Sequence, residues 1–270
     1  MNNVKLNNGV EIPGLGLGLW KVTNQKDLDD AVKSALKSGY THFDSAQKYD
    51  NEAMLGQALK EQGVDRKKIF ITTKIWNNNF WPGDLEESFE QSLKNLQTDY
   101  IDLLLLHFPV TETRRMAWTG LENLLRQDKV KAIGVSNYTI KHLEEMKRYF
   151  KILPAVNQVE LHVFLQQPEL LKYCKEQGIV VEAYSPIAHG HGLDNKILIE
   201  IANKHSKSTA QIMVRWCLEV GTVPLPKSTN QDRIAENIDV FDFELDETDM
   251  AKLKLLDQDL RTCWDPTNVP

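Results

Sequence analysis

The sequence predicts a (β/α)8 TIM barrel, an α/β fold of eight parallel strands, opened by an N-terminal β-hairpin. Three observations lead there. Short apolar runs alternate with amphipathic stretches along the whole chain, the pattern of a parallel sheet wrapped by helices. The early runs that end in chemistry-bearing residues recur roughly 30 residues apart, close to one βαβ unit. Nearly every apolar run stops at a polar or charged residue, and in a barrel the carboxyl ends of all strands open onto one mouth. An open doubly wound sheet would spread its outer strand ends too far apart for them to converge.

Each element has a local reason. VKLNNGVEI alternates apolar residues about Asn-Asn-Gly, a hairpin pattern. The strand candidates are Leu15–Leu19, Tyr40–Asp44, Ile69–Lys74, Ile101–His107, Val130–Ser136, Ala155–Glu160, Ile179–Tyr184 and Thr222–Pro226. Several are almost continuously apolar, as strands covered on both faces are. Helical spacing is predicted over Asp27–Ser38, Asn51–Glu61, Asp84–Leu96, Arg115–Gln127, Ile140–Phe150, Pro168–Glu176, Asn195–Lys204 and Thr209–Val220. Two further helices, Gln231–Ile238 and Asp246–Asp257, follow the last strand. Asp84 with Glu87 reads as a helix start, as does Ser208, and Gly39 reads as a stop. No Pro/Gly linker or composition break divides the chain, so residues 1–270 are expected to form a single domain.

Composition narrows the function. At 270 residues, with 41% hydrophobic and 26% charged residues, the chain has the make-up of a globular enzyme. A net charge of −6, with no basic run, argues against a nucleic-acid surface. The start, MNNVKLNNGVEIPG, has no apolar segment of a signal peptide. The longest apolar run, near Ile101–Phe108, is interrupted by Asp102 and His107 and is too short to cross a bilayer. A cytoplasmic, membrane-free protein is the expectation. Cys174, Cys217 and Cys263 form no C-x-x-C pair and read as small buried thiols in a reducing compartment.

The polar strand ends carry the functional signal. In order they are Asp44, Lys74, His107, Ser136-Asn137, Gln158 (with Asn157), Tyr184-Ser185 and Lys227-Ser228. Singly, each has a bland explanation: Asp44 a helix cap, Lys74 a surface charge, His107 a satisfied core histidine, Tyr49 a packed aromatic. Their joint placement at one barrel rim is what those explanations leave out.

These residues lie in FDSAQKYDNE (Phe43–Glu52), ITTKIW (Ile71–Trp76), LLLLHFP (Leu103–Pro109), GVSNY (Gly134–Tyr138), NQVE (Asn157–Glu160), AYSP (Ala183–Pro186) and PLPKST…RIAEN (Pro224–Asn237). In this order the motifs resemble the aldo-keto reductase family over essentially the whole chain. The short chain and GTVPLPKS are most similar to its compact microbial and protozoan branch, with diketogluconate reductases and prostaglandin F synthase-like enzymes. The resemblance implies an NADPH-dependent reductase of small aldehydes, ketones and dicarbonyls, with a small-molecule carbonyl as partner and a monomer as the usual state. It implies a catalytic tetrad of Asp44, Tyr49, Lys74 and His107. It also implies that Ser136, Asn137 and Gln158 hold the nicotinamide carboxamide, with Tyr184 stacked on the ring and Ser185 beside it. Lys227, Ser228 and Arg233 would hold the adenosine 2′-phosphate, with Glu236 and Asn237 near the adenine.

Those four residue types make chemical sense. Reducing a carbonyl places a hydride on carbon and a proton on oxygen. A free phenol, with a pKa of about 10, gives up its proton reluctantly at neutral pH. Lowering that pKa by about two takes roughly 3 kcal/mol. An ammonium about 4 Å away supplies about 4 kcal/mol at an effective dielectric near 20, so Lys74 is expected to lower Tyr49. Asp44 would keep a buried lysine charged. From the residues alone His107, with its reference pKa of about 6.5, serves equally as proton donor; the resemblance favours Tyr49 and makes His107 the orienter. Two cations and a hydroxyl at a helix start, Lys227, Arg233 and Ser228, also suit a phosphate.

Other signals are discounted. GLGLGLW (Gly14–Trp20) looks like a dinucleotide loop, but Leu19 stands at the third glycine position and no helix opens directly after it. A crowded barrel strand explains the glycines better. His189-Gly-His191 resembles a metal pair without a third ligand, so no metal is expected and loop contacts are preferred. The substrate wall is expected from Trp20, Trp76 and Phe108 beside Tyr49, with Trp118 and Trp264 either lining it or filling core. Phe108 departs from the family's usual tryptophan. The short tail, Arg261–Pro270, implies a more open pocket. Two alternatives stand beside the reductase: NADP-dependent alcohol oxidation by the same residues, and a cofactor-bound, non-catalytic scaffold.

Overall fold

The computed structural model describes residues 2–270. The N-terminal hairpin forms as predicted: β1 (Asn3–Lys5) pairs antiparallel with β2 (Glu11–Pro13), turned by Gly9 at φ +89°. Asn7 and Asn8 donate to the carbonyls of Pro154 and Lys131. The hairpin thereby stoppers the amino-terminal end of the barrel, where Leu6 and Ile12 join Leu103, Leu105, Ala132, Val156 and Val223 in a separate apolar cluster.

Eight parallel strands follow in sequence order: β3 (Leu17–Gly18), β4 (His42–Asp44), β5 (Phe70–Ile75), β6 (Ile101–Leu106), β7 (Val130–Ser136), β8 (Val156–Glu160), β9 (Val180–Tyr184) and β10 (Val223–Leu225). A Gly18–Lys227 bridge closes β10 onto β3, and Gly16 and Gly18 donate to the carbonyls of Pro224 and Pro226 at 3.1 Å each. The glycines of GLGLGLW therefore sit at the closing seam. A Cβ on Gly16 would lie 2.6 Å from His42 Nδ1 and 2.7 Å from Leu225 Cδ2, so the crowded-strand reading is the right one. The first strand is shorter than expected, since only Leu17–Gly18 keeps a ladder.

Helices α1 (Gln25–Lys37), α2 (Glu52–Glu61), α3 (Asp84–Leu96), α4 (Arg114–Arg126), α5 (Ile140–Tyr149) and α6 (Pro168–Glu176) each link one strand to the next. Two helices, α7 (Lys196–His205) and α8 (Thr209–Glu219), lie between β9 and β10, and α9 (Gln231–Ile238) and α10 (Glu247–Lys254) follow. Ser208 caps α8, and Gly39, at φ +93°, ends α1 as expected. The start of α3 differs. Gly83, at φ +91°, is its N-cap and donates its N–H to Glu86 at 2.8 Å, so Asp84 is already helical. The glycine turns the chain one residue early and moves the partner from Glu87 to Glu86. Asp84 still helps, as an anion beside the first-turn N–H groups.

Strand alternation places the chemistry. Leu104, Leu106, Ile133 and Val135 pack in the cluster under the helices, whereas Leu103, Leu105 and Ala132 belong to the cluster that plugs the barrel. Continuing the inward row by twos reaches His107, just past the end of β6, and Ser136 on β7. The same step carries His42 to Asp44, Thr72 to Lys74 and Val156 to Gln158. The apolar plug and the polar rim are thus two levels of one interior row. Trp118 is core, not wall: it is fully buried on α4 with its indole N–H donating to Ile152 O at 3.2 Å.

The seam is expected to be sensitive to one methyl group. Gly16→Ala should cost about 1–3 kcal/mol, read as a lower urea midpoint at unchanged m; an unchanged midpoint would contradict the crowded seam.

Candidate active site

The cavity at the carboxyl ends of the strands has a volume of about 910 Å³ and runs from Trp20, Tyr49, Trp76, His107 and Phe108 to Lys227, Arg233 and Asn237. Asp44 and Tyr49 line its floor, and Lys74 lies against them, fully buried. Its Nζ donates to Asp44 Oδ1 at 2.7 Å, to the Ser45 carbonyl at 2.8 Å and to the Tyr49 hydroxyl at 3.4 Å. An ammonium has three protons and no lone pair, so all three are spent. The Tyr49 oxygen must accept, which leaves its own proton free to face the cavity.

Burial works to lower the pKa of Lys74, but the Asp44 carboxylate, through its charge and its hydrogen bond, leads the contacts that outweigh it, and the net direction is upward. The lysine stays charged. For Tyr49 burial raises the pKa and the Lys74 charge pulls it back, with a net rise. The expected lowering of the phenol is therefore not met: desolvation of a phenolate exceeds what one ammonium returns. His107 is pushed down to about 3 by burial, then by the charges of Lys74 and Lys48. Its Nδ1 is buried with no partner among the described residues. The imidazole is neutral at ordinary pH and stands edge-on to Tyr49 and Trp76, with ring centroids 5.6 and 5.2 Å away.

The middle of the cavity is braced from within. Ser136 Oγ donates to the Gln158 carbonyl at 2.9 Å, and Asn137 Nδ2 donates to the His107 carbonyl at 3.1 Å. Tyr184 donates its hydroxyl to Asn137 Oδ1 at 2.8 Å. Asn137 holds φ +66°, so the bend after β7 is tied to β6 and β9 at once. Gln158 donates from Nε2 to Asp44 Oδ2 at 2.8 Å and to Glu182 Oε2 at 2.9 Å.

At the far end, Lys227 and Arg233 are exposed and neither lies within ion-pairing distance of a carboxylate among the described residues. Ser228 Oγ accepts from Asn230 N–H at 3.1 Å, and the Asn230 side chain caps α9 by accepting from Arg233 N–H at 3.0 Å. Two free cations, a hydroxyl and the first turn of a helix make this end of the cavity electropositive. Glu236 accepts from Ser208 Oγ, and Asn237 is buried beside it in the same wall.

The tail joins the site. Glu160 Oε1 accepts from the Thr262 N–H at 2.7 Å and hydroxyl at 2.5 Å, and Glu160 Oε2 accepts from the Cys263 N–H at 3.1 Å. Trp264 then reaches Phe108, ring centroids 3.7 Å apart, and belongs to the wall. Cys263 corrects an expectation. It is half-buried and lines the cavity, with Sγ 3.2 Å from His189 Nε2, while Cys174 and Cys217 are buried. His189 also meets Ser185 Oγ at 3.1 Å, whereas His191 stacks edge-on against Phe164, so the two imidazoles face different neighbours. Sequence reasoning passed over Glu160 as a clamp and Glu182 altogether. The signal for Glu182 was available: one acid inside the apolar run VVEAY, two residues before Tyr184.

The Asp44–Lys74 pair is expected to be costly to break. Asp44→Asn should destabilise the protein by about 3–5 kcal/mol, because an uncompensated ammonium stays buried. Adding Lys74→Met should recover part of that loss in denaturant titration. Additive losses would contradict the pairing.

Comparison with known proteins agrees with the fold. The Aldo/keto reductase family model matches residues 14–258. Glyoxal reductase of Bacillus subtilis is 47% identical over 268 residues, covering 99% of this chain and 97% of the relative. An aldo-keto reductase from a Medee basin deep-sea metagenome superposes with a TM-score of 0.95 at 42% identity, covering all of both chains. A silkworm aldo-keto reductase complexed with NADPH superposes with a TM-score of 0.93 at 35% identity, covering 97% of this chain and 90% of that one. The chain belongs to the aldo-keto reductase family and is an oxidoreductase.

Proposed function

We propose that the protein is a cytoplasmic, monomeric, single-domain reductase that uses NADPH to convert small aldehydes, ketones and dicarbonyls to alcohols. The observation that carries this reading is the Lys74 ammonium touching both Asp44 and the Tyr49 hydroxyl, at 2.7 and 3.4 Å, on the cavity floor. When bound, the nicotinamide supplies a hydride to the carbonyl carbon; the protein's part is the proton and the alignment. Tyr49 is the general acid. Its phenol remains protonated at neutral pH and gains a charged partner for its oxygen as the proton leaves. Lys74 supplies that charge, and Asp44 keeps Lys74 charged. His107, neutral, offers a hydrogen bond that orients the substrate oxygen. The burial that holds His107 uncharged disfavours it as the acid.

The donor set fits a phosphorylated dinucleotide. Lys227, Ser228 and Arg233 suit its 2′-phosphate, with Glu236 and Asn237 beside the adenine. Ser136, Asn137 and Gln158 suit the carboxamide, while Tyr184 offers a ring for stacking and Ser185 lies beside it. Trp20, Trp76 and Phe108 leave an aromatic space suited to a small carbonyl compound, and glyoxal reduction by the Bacillus subtilis relative points to dicarbonyls. The upward shift keeps Tyr49 protonated at neutral pH, the form from which carbonyl reduction starts.

Two tests follow. Tyr49→Phe should bind NADPH normally, yet lose at least about a hundredfold in kcat with glyoxal, the scale of a lost general acid. In the wild type, kcat/KM should be level from about pH 5 to 8 and fall only as pH rises through a Tyr49 pKa above its ordinary 10. A limb near pH 6.5 would instead assign the proton to His107. For the cofactor, Arg233→Ala should weaken NADPH by roughly 10- to 100-fold and leave NADH nearly unchanged in a fluorescence titration. Equal weakening of both would sink the phosphate assignment.

A further inference from the structure

Glu182 is fully buried inside the barrel. Its Oε2 accepts from Gln158 Nε2 at 2.9 Å, while its Oε1 is buried with no hydrogen-bond partner among the described residues. The other Gln158 N–H goes to Asp44 Oδ2 at 2.8 Å, and Asp44 Oδ1 holds Lys74. Glu182, Gln158, Asp44, Lys74 and Tyr49 thus form one unbroken chain of contacts across the barrel interior.

This chain decides which way the Gln158 amide points. Both neighbours of its nitrogen are carboxyl oxygens, and a flipped amide would set carbonyl oxygen against the Asp44 carboxylate. With both N–H groups occupied, the carbonyl oxygen of Gln158 is the polar atom left for the cavity, whose wall Gln158 forms. Asp44 satisfies one N–H only; Glu182 satisfies the second and removes the amide's freedom to turn.

The surroundings suit a neutral acid. Burial, then the Asp44 charge, raise the pKa of Glu182 to about 8 against the opposing pull of Gln158 and Lys74. His42 Nε2 lies 3.7 Å from Oε1, but burial and then the Lys74 charge push that imidazole down to about 3. The contact is therefore between two neutral groups, and His42 is already hydrogen-bonded to Thr72 Oγ1 at 2.9 Å. A neutral carboxyl keeps an acceptor oxygen for Gln158 without placing a second full negative charge beside Asp44.

We propose that Glu182 is a positioning residue for cofactor binding: it locks the Gln158 amide so that its carbonyl oxygen is presented to the nicotinamide carboxamide. The inference rests on the NADPH reading above and deepens it. Its test is binding rather than turnover. NADPH and 2′-phospho-ADP-ribose, which lacks the nicotinamide, are titrated calorimetrically against wild type, Glu182→Met and Glu182→Gln. Glu182→Met removes the acceptor at similar length, and Glu182→Gln retains one. Glu182→Met should weaken NADPH by about three- to tenfold, the scale of one hydrogen bond, and leave the truncated ligand unchanged. Glu182→Gln should restore most of the loss. Equal weakening of both ligands, or of neither, would overturn the role of Glu182 while leaving the NADPH reading intact; a wild type that does not bind NADPH would overturn both. If Glu182→Met does not fold, the wild type itself decides by nitrogen-15 NMR. Both side-chain amide protons of Gln158 should be shielded from solvent exchange before cofactor is added, and one rapidly exchanging proton would refute the lock.

Discussion

A single buried ammonium organises this protein. Lys74 stands at the level where the apolar plug of the barrel gives way to its polar rim, and it can remain charged there only because Asp44, the Ser45 carbonyl and Tyr49 take its three protons. Each partner comes from the stretch that includes β4 and the short turn after it, while Lys74 itself comes from β5. The parallel ladder between those strands, with Asp44 opposite Thr72, sets the distance. The fold therefore supplies the geometry, and the charge supplies the reason that geometry matters.

The same ammonium accounts for the division of labour above it. It restrains the rise in the Tyr49 pKa, and it helps to hold His107 and His42 neutral. Burial first and this cation second keep two imidazoles uncharged, while the cation offsets part of the rise that burial imposes on the phenol, which is how neighbouring groups come to hold different protonation states. The far end of the cavity differs in kind, with the exposed cations Lys227 and Arg233 beside the start of α9.

Much of this was legible in the sequence, and for identifiable reasons. Alternating apolar and amphipathic stretches give a barrel, and strand-end chemistry gives the rim, because both depend on local periodicity. Helices α6 and α9 and strand β7 fall at the expected residues for the same reason. What local pattern does not encode is where a long side chain ends up. Trp118 and Trp264 are both tryptophans outside the strands, yet one fills core under α4 and the other caps Phe108. Cys263 is brought to the cavity by the Glu160 clamp on a distant strand, a contact between residues about a hundred positions apart. The direction of the Tyr49 shift was misjudged because a sequence reveals the neighbouring charge more readily than the depth of burial that opposes it.

The ionisation of Tyr49 itself tests the central claim most directly. With tyrosine labelled at the ring carbon bearing the hydroxyl, carbon-13 NMR can follow that one phenol through a pH titration in the wild type and in Lys74→Met, with Tyr49→Phe identifying the signal. The account predicts a wild-type midpoint above the ordinary value of about 10 and a further upward move when the ammonium is removed. A midpoint that stays put in Lys74→Met, or one already below 10 in the wild type, would contradict it.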